Sequence, residues 1–299
     1  MQLIKQLDRN LLTIAWSLWT ELGVAGVIQN HQNELILLEE LVLFTSCLSE
    51  VDPRLRDESI DWLAKYHHYI SLSRLKFLLK EFPLTSKAFA RYAASLNAVS
   101  KANWPLLEDA SPIRIRLSQK SILRHLTPAL LNIRARSLFG VGARADLVTF
   151  FLVHPNIDFS IAELAETGYS KRNLAEILGD LHLGRLLERS LQGNRLLYRL
   201  NKNNPLFLML KPIPESTTPW HLVYNVLLTL RACILQIDNY SESTKVVELS
   251  NCLKNQENTL QKLGLTPPLF QNNFSAYLEN FSQWILQWTD LLAKGQFNP

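Results

Sequence analysis

Glycine is scarce in this 299-residue chain: there are 10, about half the usual ~7% share. Few positions therefore favour the left-handed backbone of tight turns, which argues for helices over a fold of many hairpins. Cysteine is scarcer still. Cys47, Cys233 and Cys252 are an odd set, far apart in sequence and without a CxxC pair. That excludes a disulfide framework and a structural zinc site, and it fits a reducing, cytoplasmic setting. Neither charge sign dominates, with 31 basic against 27 acidic residues. No uninterrupted membrane-length apolar run occurs. The best candidate, residues 220–237, contains His221, Asn225 and Arg231 and reads as a buried helix, so no membrane partner is expected. At the N-terminus Lys5 and Arg9 precede an apolar run, Leu11 to Trp19, as in a secretory leader, but Glu21 interrupts the run and Asp8 sits in the basic part. Leu7, Leu11, Ile14, Leu18 and Leu22 recur at helical spacing instead, which reads as a globular helix. Walker, GxGxxG, GxSxG and HExxH motifs are absent. His67 and His68 are adjacent and would point about 100° apart on a helix. No catalytic residue, metal site or cofactor is expected, and the chain is not read as an enzyme.

What is present is unevenly distributed. Residues 1–109 carry 11 basic and 13 acidic side chains, residues 110–201 carry 13 and 7, and residues 202–299 carry 7 and 7. The whole positive excess lies in the middle, as do six of the ten glycines. The expected division is an all-helical region at 1–109, a basic segment with a turn-rich module at 110–201, a proline-rich linker at 202–219, and C-terminal helices at 220–299. In the first region, helices are expected at Glu34–Ser49, after the Asp52-Pro53 cap, at Leu72–Phe82 and at Ser86–Val99. Further helices are expected at His221–Ile237, Glu242–Leu263 and Phe274–Ala293. The stripe Phe281, Ile285, Trp288, Leu292 on the last helix is a candidate dimer or interdomain surface.

The middle segment is the most informative. Residues 143–153 read as a helix ended by Pro155. Ser160 and Glu163 have capping-box spacing at the start of a short helix, Ile161–Thr167, and Gly168 stands where a left-handed C-terminal turn belongs. Ser170 caps another helix, whose Leu174, Ile177, Leu178 and Leu181 form one complete buried stripe. Two apolar-containing runs around Gln192-Gly193-Asn194 then read as a β-hairpin. Helix, short helix, turn, helix, hairpin is the order of a winged helix-turn-helix. The stretch Ile161–Leu181, with Gly184-Arg-Leu-Leu-Glu-Arg189, Gly193-Asn-Arg195 and Tyr198-Arg-Leu200, resembles the MarR- and ArsR-type winged-helix regulators over about 60 residues. The expected fold class is mainly α, with helical N- and C-terminal regions flanking a winged helix-turn-helix and its small hairpin.

The resemblance implies that the helix after Ser170 enters the major groove of double-stranded DNA, presenting Ser170, Lys171, Arg172 and Asn173 in its first turn. Their chemistry suits a groove, since Lys and Arg pair with phosphate or guanine, and Asn suits adenine. The wing would offer Arg189, Asn194 and Arg195. Residues 110–145 contain Arg114, Arg116, Lys120, Arg124, Arg134, Arg136 and Arg144 and, from Ala110 to Ala145, no acid. Arg134, Arg136 and Arg144 would extend the phosphate-binding face. The competing reading of this run is a charged face that neutralises the acidic first region. Glu176 and Asp180, further along the groove-facing helix, oppose deep insertion. The expected function is a DNA-binding transcriptional regulator, a homodimer whose flanking helices dimerise or sense an effector. The alternative is a winged-helix scaffold for protein contacts, or an antitoxin-like partner protein.

Overall fold

The computed structural model describes residues 2–105, 109–123, 127–215 and 217–297. The N-terminal part holds α1 (Gln2–Glu21), α2 (Leu38–Leu48), α3 (Pro53–Tyr66), α4 (Leu72–Glu81) and α5 (Ser86–Val99). The middle holds α6 (Leu131–Phe139), α7 (Ala143–Val153), β1 (Phe159–Ser160), α8 (Ile161–Leu164), α9 (Lys171–Leu183), β2 (Glu188–Gln192) and β3 (Arg195–Arg199). A short α10 (Leu206–Met209) precedes α11 (Trp220–Ile237), α12 (Glu242–Asn255), α13 (Glu257–Lys262) and α14 (Phe274–Ala293). The chain is mainly α, at 62% helix and 5% strand.

Local chemistry sets many helix ends. Asp52 accepts from the amides of Arg54 and Leu55, with Pro53 in the first turn of α3. Ser160 and Glu163 form the reciprocal capping box of α8, and Gly168 ends that turn in the left-handed region at φ 91°. Elsewhere tertiary contacts override the pattern. The helix expected from Glu34 begins at Leu38, because Glu34 is buried and receives both the amide (2.7 Å) and the hydroxyl (3.0 Å) of Thr218. The helix expected over 242–263 is divided at Gln256, which leaves helical geometry at ψ 4°.

Two apolar cores organise the molecule. The larger joins both ends of the chain: Leu7, Leu11, Ile14 and Leu18 of α1 share it with Phe281, Ile285, Trp288 and Leu292 of α14. The stripe expected as a dimer or interdomain face therefore packs between the N- and C-terminal regions of one chain and is not open to a second copy. Packing against α1 hides more apolar surface than an exposed stripe could tolerate in water. The α11 helix is apolar and long enough to cross a membrane, yet Val223, Val226, Leu227 and Leu230 lie in this same core. Polar clasps fix the register. Asp8 pairs with Arg231 at 2.6 Å, and Asn10 donates to Thr289 at 2.9 Å.

The smaller core gathers Leu147, Phe151, Leu164, Leu174, Leu178, Leu181, Leu187 and Tyr198. It holds α7, α8 and α9 against an antiparallel sheet in the order β1-β3-β2. The α6 helix is shared, with Ile133 in the larger core and Leu131 in the smaller.

His31 is a further clasp between chain ends. The Leu292 carbonyl 2.9 Å from Nε2 can only accept, so Nε2 carries the proton and Nδ1 accepts from the Ser17 hydroxyl at 2.8 Å. Burial pulls its pKa from about 6.5 to about 4, with the Leu292 bond opposing. The folded chain thus holds the ring neutral while the unfolded chain protonates it. Stability should be full above about pH 6.5 and fall by up to about 3 kcal/mol as pH drops towards 4. Urea titrations across this window should show that fall, and His31→Gln should remove much of the slope.

Candidate nucleic-acid interface

The α9 helix buries Leu174, Leu178 and Leu181 and turns its other side outward. Ser170 caps it, its hydroxyl accepting the Asn173 amide at 3.3 Å. That cap fixes the first turn, where Lys171, Arg172 and Asn173 are all exposed. Among the described residues no carboxylate lies within ion-pair distance of Lys171 or Arg172. Asp180, one of the two acids expected to oppose insertion, is paired with Arg144 at 2.6 Å, while Glu176 is exposed.

The wing is the β2–β3 hairpin. Gly193 turns at φ 58°, which needs a residue without a Cβ penalty, and Asn194 completes the tip between paired Gln192 and Arg195. Arg189, Asn194 and Arg195 are exposed. Arg195 sits close enough to Glu163 to help hold that carboxyl below its ordinary range, behind the stronger hydrogen bonds from Ser160. At the hairpin base Glu188 and Arg199 pair at 2.7 Å. The tip also carries an apolar feature: Leu191 and Leu196 face each other across the strands and stay 70% and 42% exposed.

Arg134, Arg136 and Arg144 of the basic run before the module are committed elsewhere. Arg134 donates to the carbonyls of Lys211 (2.5 Å), Pro212 and Thr127, bracing the segment after α10. Arg136 is fully buried, with its guanidinium between Glu39 at 2.7 Å and Asp146 at 2.9 Å. Neither forms part of a phosphate-binding face. An acid-free sequence window says nothing about acids that other helices bring to it. Arg144 is half-exposed and spends its charge on Asp180. Upstream, residues 113–123 run along α3 without forming a strand, and Gln119 turns the segment at φ 58°. The amides of Arg116 and Gln119 meet Asp57 and Asp61, and the Ser118 hydroxyl meets Glu58 at 2.7 Å. The strap thus meets the acids of α3 through uncharged amides and a hydroxyl, while its Arg114, Arg116 and Lys120 side chains are exposed. Arg124 lies outside the described residues.

Around Arg136 the structure assembles a buried charge network that sequence reading does not find. Glu39 and Glu40 come from α2, Arg74 from α4, Arg136 from α6, Asp146 from α7. Tyr169, next to the cap of α9, donates to Asp146 at 2.5 Å. Arg74 pairs with Glu40 and donates to the Thr167 carbonyl at 2.6 Å. Burial pushes the Glu39 carboxyl up despite Arg136 beside it. Burial would also raise Asp146, but Arg136 and Arg74 bring it below its ordinary value. Burial and Asp146 together push the Tyr169 phenol up. The turn before α9 is also held sterically, since a Cβ on Gly168 would stand 2.7 Å from the Phe77 ring. The only local cue is Glu39-Glu40 opening an otherwise apolar helix.

No family model, curated protein or solved structure matches the chain.

Removing one partner of a buried pair leaves an uncompensated charge. Arg136→Met should cost about 3–5 kcal/mol and expose the amides of α6 and α7, read by urea unfolding and hydrogen exchange. Lys171→Ala, at an exposed site, should change stability by less than about 0.5 kcal/mol.

Proposed function

We propose that this protein is a DNA-binding transcriptional regulator that places α9 in the major groove and β2–β3 as the wing on the adjacent backbone. The observation that carries the reading is the first turn of α9. Lys171, Arg172 and Asn173 are exposed and unpaired by acids among the described residues, on a helix anchored by its opposite stripe. Phosphate, guanine and adenine are the partners these groups suit, and the wing's Arg189 and Arg195 add cationic reach. Regulation would be steric, by occupancy of a promoter. Two copies would give the symmetry such sites usually match, through a surface other than the buried α14 stripe. A cytoplasmic setting accords with the three free cysteines.

Fluorescence anisotropy on duplex DNA across a salt series tests this. The wild type should bind with an affinity that falls steeply with salt. Lys171→Ala/Arg172→Ala should weaken binding about tenfold or more and flatten the log–log slope by about 2. No binding at low salt would reject the reading.

A second reading, a protein-docking module, is favoured by the exposed Leu191–Leu196 pair at the wing tip. Leu191→Ser/Leu196→Ser should leave DNA affinity within about threefold if the wing works through its arginines. Loss of a protein partner in pull-down, with unaltered DNA binding, would point to docking.

A further inference from the structure

A cavity of about 350 Å³ opens between α2, the end of α4, α11 and the α12–α13 junction. That is within the range of small-molecule sites. One wall is aromatic, with Phe44 and Tyr224 stacked at 4.1 Å. Leu43 and Leu228 extend the apolar surface, while Asn225 and Thr229 add polar groups. No Lys or Arg lines it, whereas two carboxylates do: Glu81 at the exposed rim, and Glu40. His221 is the other titratable lining group besides Tyr224.

Glu40 is the unusual member. Its side chain is 1% exposed. One oxygen is taken by Arg74, but Oε2 is shut off from water without a hydrogen-bond partner. A buried carboxylate oxygen left so is costly, and it calls for a donor. The charge balance agrees. Among the described residues the only cations paired with Glu39, Glu40 and Asp146 are Arg74 and Arg136, so the network is one cation short when all three acids are ionised.

We propose that this cavity binds a small organic cation, an amine or amidine on a flat apolar body, and that Glu40 receives its charge. The site is coupled to the module; this part rests on the regulator reading above. The path has two links. Glu40 holds Arg74, and Arg74 holds the Thr167 carbonyl one residue before Gly168, in the turn that leads into α9. Oε2 is enclosed, so the carboxylate must rotate to meet a ligand, and rotation draws its other oxygen off Arg74. Ligand and α9 then compete for one guanidinium–carboxylate bond, which makes the two binding equilibria reciprocal.

The probes are phenethylamine, tryptamine and benzamidine, with 2-phenylethanol as a neutral counterpart of similar shape. They are titrated onto the full chain without DNA by calorimetry and ligand-observed NMR. At least one amine or amidine should bind saturably at one per chain, with 2-phenylethanol about tenfold weaker than phenethylamine. Glu40→Gln should erase that preference. Because Glu40→Gln also disturbs the Arg74 pair, Thr229→Trp serves as the second variant. It fills the cavity without touching the network, and should abolish binding while keeping the wild-type melting temperature. No saturable binding of any cation at millimolar concentration, equal binding of the alcohol, or unaltered binding by Thr229→Trp would each overturn the site. Saturating amine should then shift DNA affinity several-fold, and not in Thr229→Trp. Amine binding with DNA affinity unmoved would overturn the coupling. Amine binding in a protein that ignores DNA would reject the regulator reading and leave the site standing.

Discussion

The arrangement depends on the guanidinium of Arg136. It is buried between Glu39 and Asp146, and through them it ties α6 and α7 to α2. Arg74 repeats the device one step further, from α2 to the turn ahead of α9. Buried ion pairs of this kind contribute little net stability, because desolvation offsets most of the attraction. What they enforce is geometry: a buried charge has one arrangement that satisfies it and many that do not. Here the enforced quantity is the placement of the smaller core on the larger. Apolar contacts alone would set that placement loosely, since Leu35 and Leu131 can slide where a guanidinium fork cannot.

Charge pairing also decides what the positive middle segment is for. Its excess charge reads in sequence as a surface for polyanions. In the structure Arg134 and Arg136 serve the interior, Arg144 and Arg199 serve neighbouring acids, and the backbone of the strap answers Asp57 and Asp61. Among the described residues of this segment, the exposed cations left without an ion pair are Arg114, Arg116 and Lys120 on the strap and, on the module, the smaller set Lys171, Arg172, Arg185, Arg189 and Arg195. This smaller set makes the better argument, because charges already satisfied inside the chain gain little by meeting phosphate. Pairing of Asp180 by Arg144 also clears an acid from the groove-facing helix. The residual face is narrow, so salt-dependent affinity would come from few contacts and specificity from still fewer.

Legibility in the sequence follows the range of the interaction. The caps at Asp52, Ser160 and Ser170 are governed by residues within three positions, and they stand where the local pattern predicts them. The stripe of α9 and the hairpin tip at Gly193 are readable for the same reason. Failure sets in where the deciding partner is distant. The Glu34 region looks helical until Thr218, far along the chain, is brought to it. The α14 stripe is legible as apolar, but not that α1 would cover it. Arg134 and Arg136 look like surface in the sequence because their partners belong to other elements. Glu40 is the extreme case. Its neighbours in sequence explain a helix start, and only the fold shows one of its oxygens unpartnered beside a cavity.

Where the module is held matters as much as how. Its fixed point is the turn 167–169, gripped by Arg74, by Phe77 beneath Gly168 and by Tyr169 on Asp146. That turn immediately precedes the exposed residues of α9. A lever pinned next to its working end moves little when its far end is disturbed. It responds directly when the pin itself shifts. A change at α4 would therefore re-aim Lys171 and Arg172 without unfolding the smaller core, whose leucines are packed independently of the pin. Placing Lys171 and Arg172 within two residues of the cap and three of the clamp makes α9 orientation a property of the helical body as much as of the module. On this geometry a variant that loosens Arg74 should alter how α9 meets a partner before it alters whether the smaller core folds.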